Sequence, residues 1–311
     1  MNNKRLLNHI PNKTAMRGFS ILEFLVASLL SMIVLMAVSS TYFTARGLNK
    51  SANARIGIQQ DLRNAANMIV RDARMAGNFG CFNMANFPAS AVIEDKSSAE
   101  YALKTAGVNK LLPVKEINKL SYTGFAQTGK ALLFQYGIDK ADSTEKTAIA
   151  SSCYGIAKPH TEIKDLAAAK SALKITNSDQ DGSIAIMKHE IIAYAVGKLG
   201  KEIGLFRFQL SDDGSWNNPQ LLIKDIESMK IHYFYANCSD APNASNSATS
   251  EENFVRADKL DISPEAKSPA SIQIVLNGGS IDSSTEKDNK VDIYNINATI
   301  RGGNVCADQS L

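Results

Sequence analysis

The chain has 311 residues, of which 44% are apolar, 21% charged and 7% aromatic, a composition that supports one or two folded units and excludes a disordered chain. Its formal charge of +3 comes from its beginning, since Lys4, Arg5, Lys13 and Arg17 all precede the first apolar run and the remainder stands at −1 without them. No basic footprint for nucleic acid is left in the body of the chain.

The first predicted element is the apolar run from Phe19 to Val38, whose twenty residues match the roughly 30 Å hydrocarbon core of a bilayer. Four basic residues lie before it, and Arg46 and Lys50 follow soon after. The positive-inside rule therefore places residues 1–18 in the cytoplasm and the C-terminal bulk across the membrane. A cleaved secretory signal is the competing reading. Its apolar stretch is usually about 7 to 15 residues, however, and Met36-Ala-Val-Ser39 is only a loose cleavage site. Glu23 interrupts the run. A carboxylate at the centre of a membrane helix costs about 2.5 to 3.5 kcal/mol, so Glu23 is either a functional group with a partner or a residue that snorkels to the headgroups.

Gly18 followed at once by Phe19, with Glu23 fifth in the chain that begins at Phe19, resembles the class III leader of type IV pilins and type II secretion pseudopilins. The resemblance implies that a prepilin peptidase cuts after Gly18 on the cytoplasmic side and that Phe19 becomes an N-methylated terminus. It further implies that Glu23 pairs with the terminal amine of a neighbouring subunit during assembly. Inside a water-excluding filament an unpaired carboxylate and an unpaired ammonium would each be costly, so each recruits the other.

Helical patterning continues past the membrane run, since Leu62, Ala66, Ile69, Ala73 and Ala76 fall on one face while Arg63, Asn64, Asn67, Arg71 and Arg74 fall mainly elsewhere. No proline occurs between Pro11 and Pro88, and Gly77, Asn78 and Gly80 supply a stop. The expectation is one helix of about 57 residues, or about 85 Å, within residues 19–77, with 19–38 transmembrane and with Gly47 and Gly57 as points that soften it.

Residues 78–311 alternate short apolar segments with turns. Lys130–Tyr136, Ser183–Met187, Glu190–Val196, Gly204–Leu210, Met229–Tyr235, Ser271–Leu276 and Val291–Ile300 read as strands. Gly197-Lys-Leu-Gly200-Lys and Ser211-Asp-Asp-Gly214 predict two successive hairpins, Thr161–Leu173 a helix capped by its threonine, and residues 239–253 a polar loop. The expected fold class is α+β, a pilin lollipop with a long N-terminal helix and an antiparallel head in the periplasm.

Arg74-Met-Ala-Gly-Asn-Phe-Gly-Cys81 resembles the helix exit of the PilW minor pilins. Glu190 to Phe208, with Leu205, Phe206 and Arg207, resembles that family's hairpin, Ile226 to Tyr233 its next strand, and Ile300-Arg-Gly-Gly-Asn304 its close. The resemblance implies a minor pilin that primes pilus assembly in a tip complex and supports twitching motility, adhesion or DNA uptake. Its implied partners are the prepilin peptidase, major and other minor pilins, the assembly platform and a PilY-type tip adhesin. Its implied location is the inner membrane, then the pilus tip. Type II secretion pseudopilin J has a related plan and is the alternative. A membrane-tethered periplasmic enzyme or binding module is a third reading, one that would need only an anchor and not Gly18, Phe19 and Glu23 at this spacing.

Cys81, Cys153, Cys238 and Cys306 all lie on the translocated side, without zinc-ligand spacing, where disulfides are the natural use. Three pairings are possible. Joining neighbours in chain order gives Cys81 with Cys153 and Cys238 with Cys306, each worth about 4 kcal/mol in the chain-entropy model.

Signals for catalysis are weak. Gly124-Phe-Ala-Gln-Thr-Gly-Lys130-Ala131 approaches a P-loop but has alanine where a magnesium-binding hydroxyl belongs, and a hairpin turn is expected there. His189-Glu190 begins like a zinc-protease motif without its second histidine and reads as a strand edge. Neither His160 nor His232 sits in a nucleophile motif, so no enzyme and no cofactor are expected. Asn177, Asp179 and Asp181 have the spacing that opens a calcium loop, but the twelfth position is Lys188, which leaves a weak calcium candidate against a polar turn.

Overall fold

The computed structural model describes residues 18, 20–97, 101–140, 143–177, 183–237, 253–278 and 292–301. Residues 1–17, Phe19 and residues 239–252 of the expected polar loop lie outside them, while the last residue of that expected loop, Asn253, begins a strand. Helix α1 spans Ile21–Met75 and runs through Gly47 and Gly57 without a break. Its surface changes character along the way. From Ile21 to Ile58 large apolar side chains such as Leu22, Phe24, Met36 and Tyr42 are exposed, whereas Leu62, Ala65, Ile69 and Ala73 are buried. The chain divides into two compact units at this change, one ending at Gly57 and one beginning at Ile58. The buried stripe differs from the expected one in two positions: Ala65 replaces Ala66 as its fully buried member, and Asp72 lies within it.

Gly77 ends the helical path at φ +77°, and a Cβ there would lie 2.9 Å from that of Pro113, so only glycine fits. Its N–H donates to the Gln135 carbonyl at 2.8 Å, which fixes the helix exit to the neighbouring sheet. Strands β1 (Asn78–Phe79) and β2 (Phe82–Asn83) then form a short ribbon turning at Gly80-Cys81. Cys81 is disulfide-bonded to Cys153, 72 residues on. Cys238 and Cys306 lie outside the described residues.

Next come β3 (Val92–Asp95), β4 (Val114–Ile117), β5 (Phe125–Asp139), β6 (Ala148–Ser151), β7 (Ile156–Lys158) and helix α2 (Leu166–Leu173). They are followed by β8 (Ala185–Leu199), β9 (Glu202–Leu210) and β10 (Trp216–Lys224). Together the strands of these two groups make one eight-stranded sheet in which β8 pairs with β5, β9 and β6. A second sheet of four strands, in the order β12-β11-β13-β14, holds β11 (Ile226–Asn237), β12 (Asn253–Ala257), β13 (Ser271–Gly278) and β14 (Asp292–Thr299). The described fold is therefore α+β with a long apolar N-terminal helix and antiparallel-rich sheets. The single expected antiparallel sheet is corrected in two respects, since there are two larger sheets and β3 pairs with β7 in parallel.

The two hairpins form where expected. Leu199 opposes Glu202 across the two-residue turn Gly200-Lys201, and Ser211 to Ser215 joins β9 to β10. Helix α2 is shorter than Thr161–Leu173 and is capped by Asp165, whose carboxylate accepts the Ala168 N–H at 2.8 Å. The stretch expected as a hairpin turn, 124–131, instead enters β5, where Phe125–Thr128 pairs with Val196–Leu199 and a register shift follows before Leu132. Gly129, at φ +74°, accommodates that irregularity, and Lys130 leads into strand, not helix. His189 is not at a strand edge: it lies inside β8, flanked by β5 and β6, and is buried. Ala185–Met187 of the first expected strand and all of Glu190–Val196 belong to this one long strand, buried without interruption from His189 to Gly197 because both faces of the sheet are covered.

One face of β5, β8 and β9 presents Phe134, Tyr136, Ile192, Tyr194 and Leu205 to the core shared with α1 and with β11, β13 and β14. The opposite face carries Leu133, Ala193, Phe206 and Phe208, which join Trp216 of β10 in a second cluster. The last turns of α1 are thus held between two sheets, and burial of its apolar stripe drives the association.

Candidate functional site

The start of α1 is a capping box. Ser20 Oγ accepts the Leu22 N–H and Glu23 Oε2 accepts the Ser20 N–H, each at 3.3 Å, while the Ser20 carbonyl accepts the first helical bond from Phe24 at 3.1 Å. Gly18 is exposed immediately upstream, and Phe19 lies outside the described residues. Glu23 thus turns its carboxylate toward the N-terminal end of its own helix. An 18-residue window of α1 has a mean hydropathy of 2.5 and is wholly unburied, which is compatible with membrane anchoring. Four hydroxyls along it are satisfied within the helix: Ser28, Ser31, Thr41 and Thr44 donate to the carbonyls of Leu25, Ala27, Ala37 and Ser40 at 2.8–3.0 Å. Each would otherwise be an unmet donor in lipid.

The other end of α1 holds a centre that the local sequence pattern does not announce. Asp72 is fully buried and accepts the Tyr194 hydroxyl at 2.7 Å, the Tyr136 hydroxyl at 3.2 Å and Arg207 Nε at 3.2 Å, with the exposed Arg71 guanidinium also at 3.2 Å. The carboxylate therefore joins α1 to β5, β8 and β9 by charge-assisted bonds. Burial, reinforced by Asp72, pushes both tyrosine hydroxyls well above the ordinary phenol range, so they stay protonated donors. The available signal was Arg207 itself. It shares the inward face of β9 with Leu205, and a cation on a buried face requires a buried acid.

A third polar cluster sits on β5, β7 and β8. Lys158 Nζ lies 3.1 Å from the Tyr101 carbonyl, 3.1 Å from His189 Nδ1 and 4.7 Å from the Tyr101 ring centre. His189 Nε2 is 3.2 Å from Gln135 Oε1, and the Gln135 amide donates to the carbonyls of Leu112 at 2.7 Å and Leu103 at 3.3 Å. Because a glutamine oxygen only accepts, Nε2 carries the proton and Nδ1 accepts from the ammonium. Burial, then the nearby Lys158 and Lys115, pushes the imidazole well below its usual value, while burial lowers Lys158 to about 8. A weakened amine beside a neutral imidazole has the chemistry of a base, but Lys158 is 0% and His189 1% exposed, so no substrate reaches them.

The pair has a measurable consequence. Burial lowers Lys115 to about 8 as well. Above that pH the unfolded chain, with lysines near about 10.4, holds protons that the folded chain has released, so stability rises from about pH 8 upward. In detergent-solubilised protein, Lys158→Met makes this rise shallower, Lys115 supplying what remains. Denaturant midpoints at about pH 8 and just below the tyrosine range near 10 measure it. A slope equal to that of wild type contradicts the assignment.

Asn177 is exposed in the described structure, Lys188 sits within β8, and Asp179 and Asp181 lie outside the described residues. Among the described residues no group of three or more acidic, histidine or cysteine side chains is placed to hold a metal. No protein-family model matches the chain, and no curated protein sequence matches it.

Proposed function

We propose that this chain is a minor pilin of the type IV pilus, a polymer subunit whose leader is removed after Gly18 and whose apolar helix is a membrane anchor first and part of a filament core afterwards. The observation that carries the reading is the start of α1. An unbroken, uncovered apolar helix begins directly after the Gly18-Phe19 pair, and its only acid in the first turn is Glu23. A simple anchor gains only a helix cap from Glu23, worth about 0.5–2 kcal/mol and equally available from an uncharged glutamine, whereas a subunit that exchanges lipid for other helices also gains a fixed axial register from one amine-carboxylate pair per neighbour. The reading adopts the lollipop plan, with the second unit as a periplasmic head in which Asp72 and the Cys81–Cys153 disulfide brace the helix exit and the adjacent ribbon.

The head of about 230 residues is bulky for a repeating subunit, which favours low copy number and a place in a tip complex with other minor pilins. Prepilin peptidase, major pilin, the assembly platform and a PilY-type adhesin are the partners this role requires. Deleting the gene should sharply reduce surface pili and twitching while major pilin accumulates in the inner membrane. Normal piliation together with an exoprotein trapped in the periplasm would instead identify a type II secretion pseudopilin.

A further inference from the structure

A cavity of about 540 Å³ opens between β4 and the segment after β12, lined on its apolar side by Leu112, Leu133, Trp216, Leu260 and Ile262. Its size and largely apolar lining are those of a small-molecule pocket. Four polar groups on its wall are incompletely used. Trp216 is 3% exposed and, among the described residues, its Nε1–H has no acceptor and the buried Thr105 hydroxyl has no partner. Lys259 has no ion-pair partner among the described residues, and Lys115 donates only to the carbonyls of Ala102 and Lys104. The one acid on the wall, Glu116, is already engaged by Lys130 and by the Tyr233 hydroxyl at 2.7 Å. The cavity therefore offers surplus cations and orphan donors above an apolar floor.

We propose that this cavity binds a small apolar carboxylic acid, its hydrocarbon or aromatic body against Leu133, Trp216 and Leu260 and its carboxylate toward Lys259, Lys115 and the Thr105 hydroxyl. A carboxylate accepts at both oxygens and can satisfy several donors at once, which a neutral ligand of the same shape cannot. Burial holds Lys115 at about 8, so an entering anion would also restore its full charge. The larger neighbouring cleft of about 780 Å³ is less suited, because His232, Asp258 and Arg256 on its wall are bound to one another.

Trp216 is the only tryptophan in the chain and reports directly on occupancy. Detergent-solubilised full-length protein is titrated with 2-naphthoate and with decanoate, following Trp216 fluorescence and calorimetric heat against protein-free micelles. 2-Naphthamide serves as the uncharged control. At least one acid should bind saturably and at least about tenfold more tightly than the amide, the size expected for a charge-assisted bond. Lys259→Glu, an exposed change that leaves the core intact, should weaken the acid about tenfold or more and leave the amide unaffected. Thr105→Val should weaken the acid less. Absence of saturable binding by both acids, an amide that binds as tightly as the acid, or unchanged acid affinity in Lys259→Glu overturns the assignment.

Discussion

Asp72→Ala lowers the stability of the unit beginning at Ile58 by about 3–5 kcal/mol, the cost of leaving a buried charge without its partner. The variant leaves Arg207 Nε, 12% exposed at its side chain, with no ion-pair partner among the described residues, and it strips two buried tyrosine hydroxyls of their acceptor. Arg71 adds little, because its side chain is 63% exposed and water replaces the lost contact. Asp72→Asn keeps an acceptor but not the charge and falls between wild type and alanine. Asp72→Leu combined with Arg207→Met should be less destabilised than Asp72→Leu alone, since removing both charges removes the desolvation problem. Chemical denaturation measures each step. A change below about 1 kcal/mol for Asp72→Ala, the range of a surface pair, would show that the cluster is not a structural centre.

Glu23→Ala leaves the protein inserted and cleaved but reduces its recovery in sheared filaments at least about tenfold, the factor that corresponds to roughly 1.4 kcal/mol per contact. Loss of the capping box costs about 0.5–2 kcal/mol of helix initiation, which does not unseat a helix whose apolar window has a mean hydropathy of 2.5. Assembly is different. Under the proposed function the carboxylate pairs with a neighbour's terminal amine inside packed helices, and alanine would leave that ammonium unmatched. Glu23→Gln, which retains the cap hydrogen bond but not the charge, should fail with alanine if charge pairing sets register. Recovery equal to wild type for either variant would remove Glu23 from assembly.

The long helix was legible because the apolar run and the later 3.6-residue stripe share one proline-free segment, and its observed bounds, Ile21–Met75, lie within two residues of that reading. Strand β10 escaped notice because Pro219 sits in its middle. The proline is tolerated there because β10 is an edge strand with a register shift between Asn217 and Gln220. His189 was misjudged because local polarity suggests an edge, whereas Lys158 and Gln135, 31 and 54 residues away, supply its partners inside the sheet. Asp72 shows the same limit more strongly. Its tyrosine partners are 64 and 122 residues distant, and no local pattern announces that a helix will meet three strands at one carboxylate. Glu23, in contrast, was visible as an anomaly, although Ser20-Ile-Leu-Glu23 as a capping box could also have been read from the residues alone.

The account rests on removal of residues 1–18 to expose Phe19. Intact mass and N-terminal peptide mass of the membrane-extracted protein, from cells containing prepilin peptidase, test it most directly. The account predicts a chain beginning at N-methylated Phe19 in wild type and an uncleaved chain in Gly18→Val; a mature wild-type protein that still carries Met1, or one cut after Ser39, would contradict it.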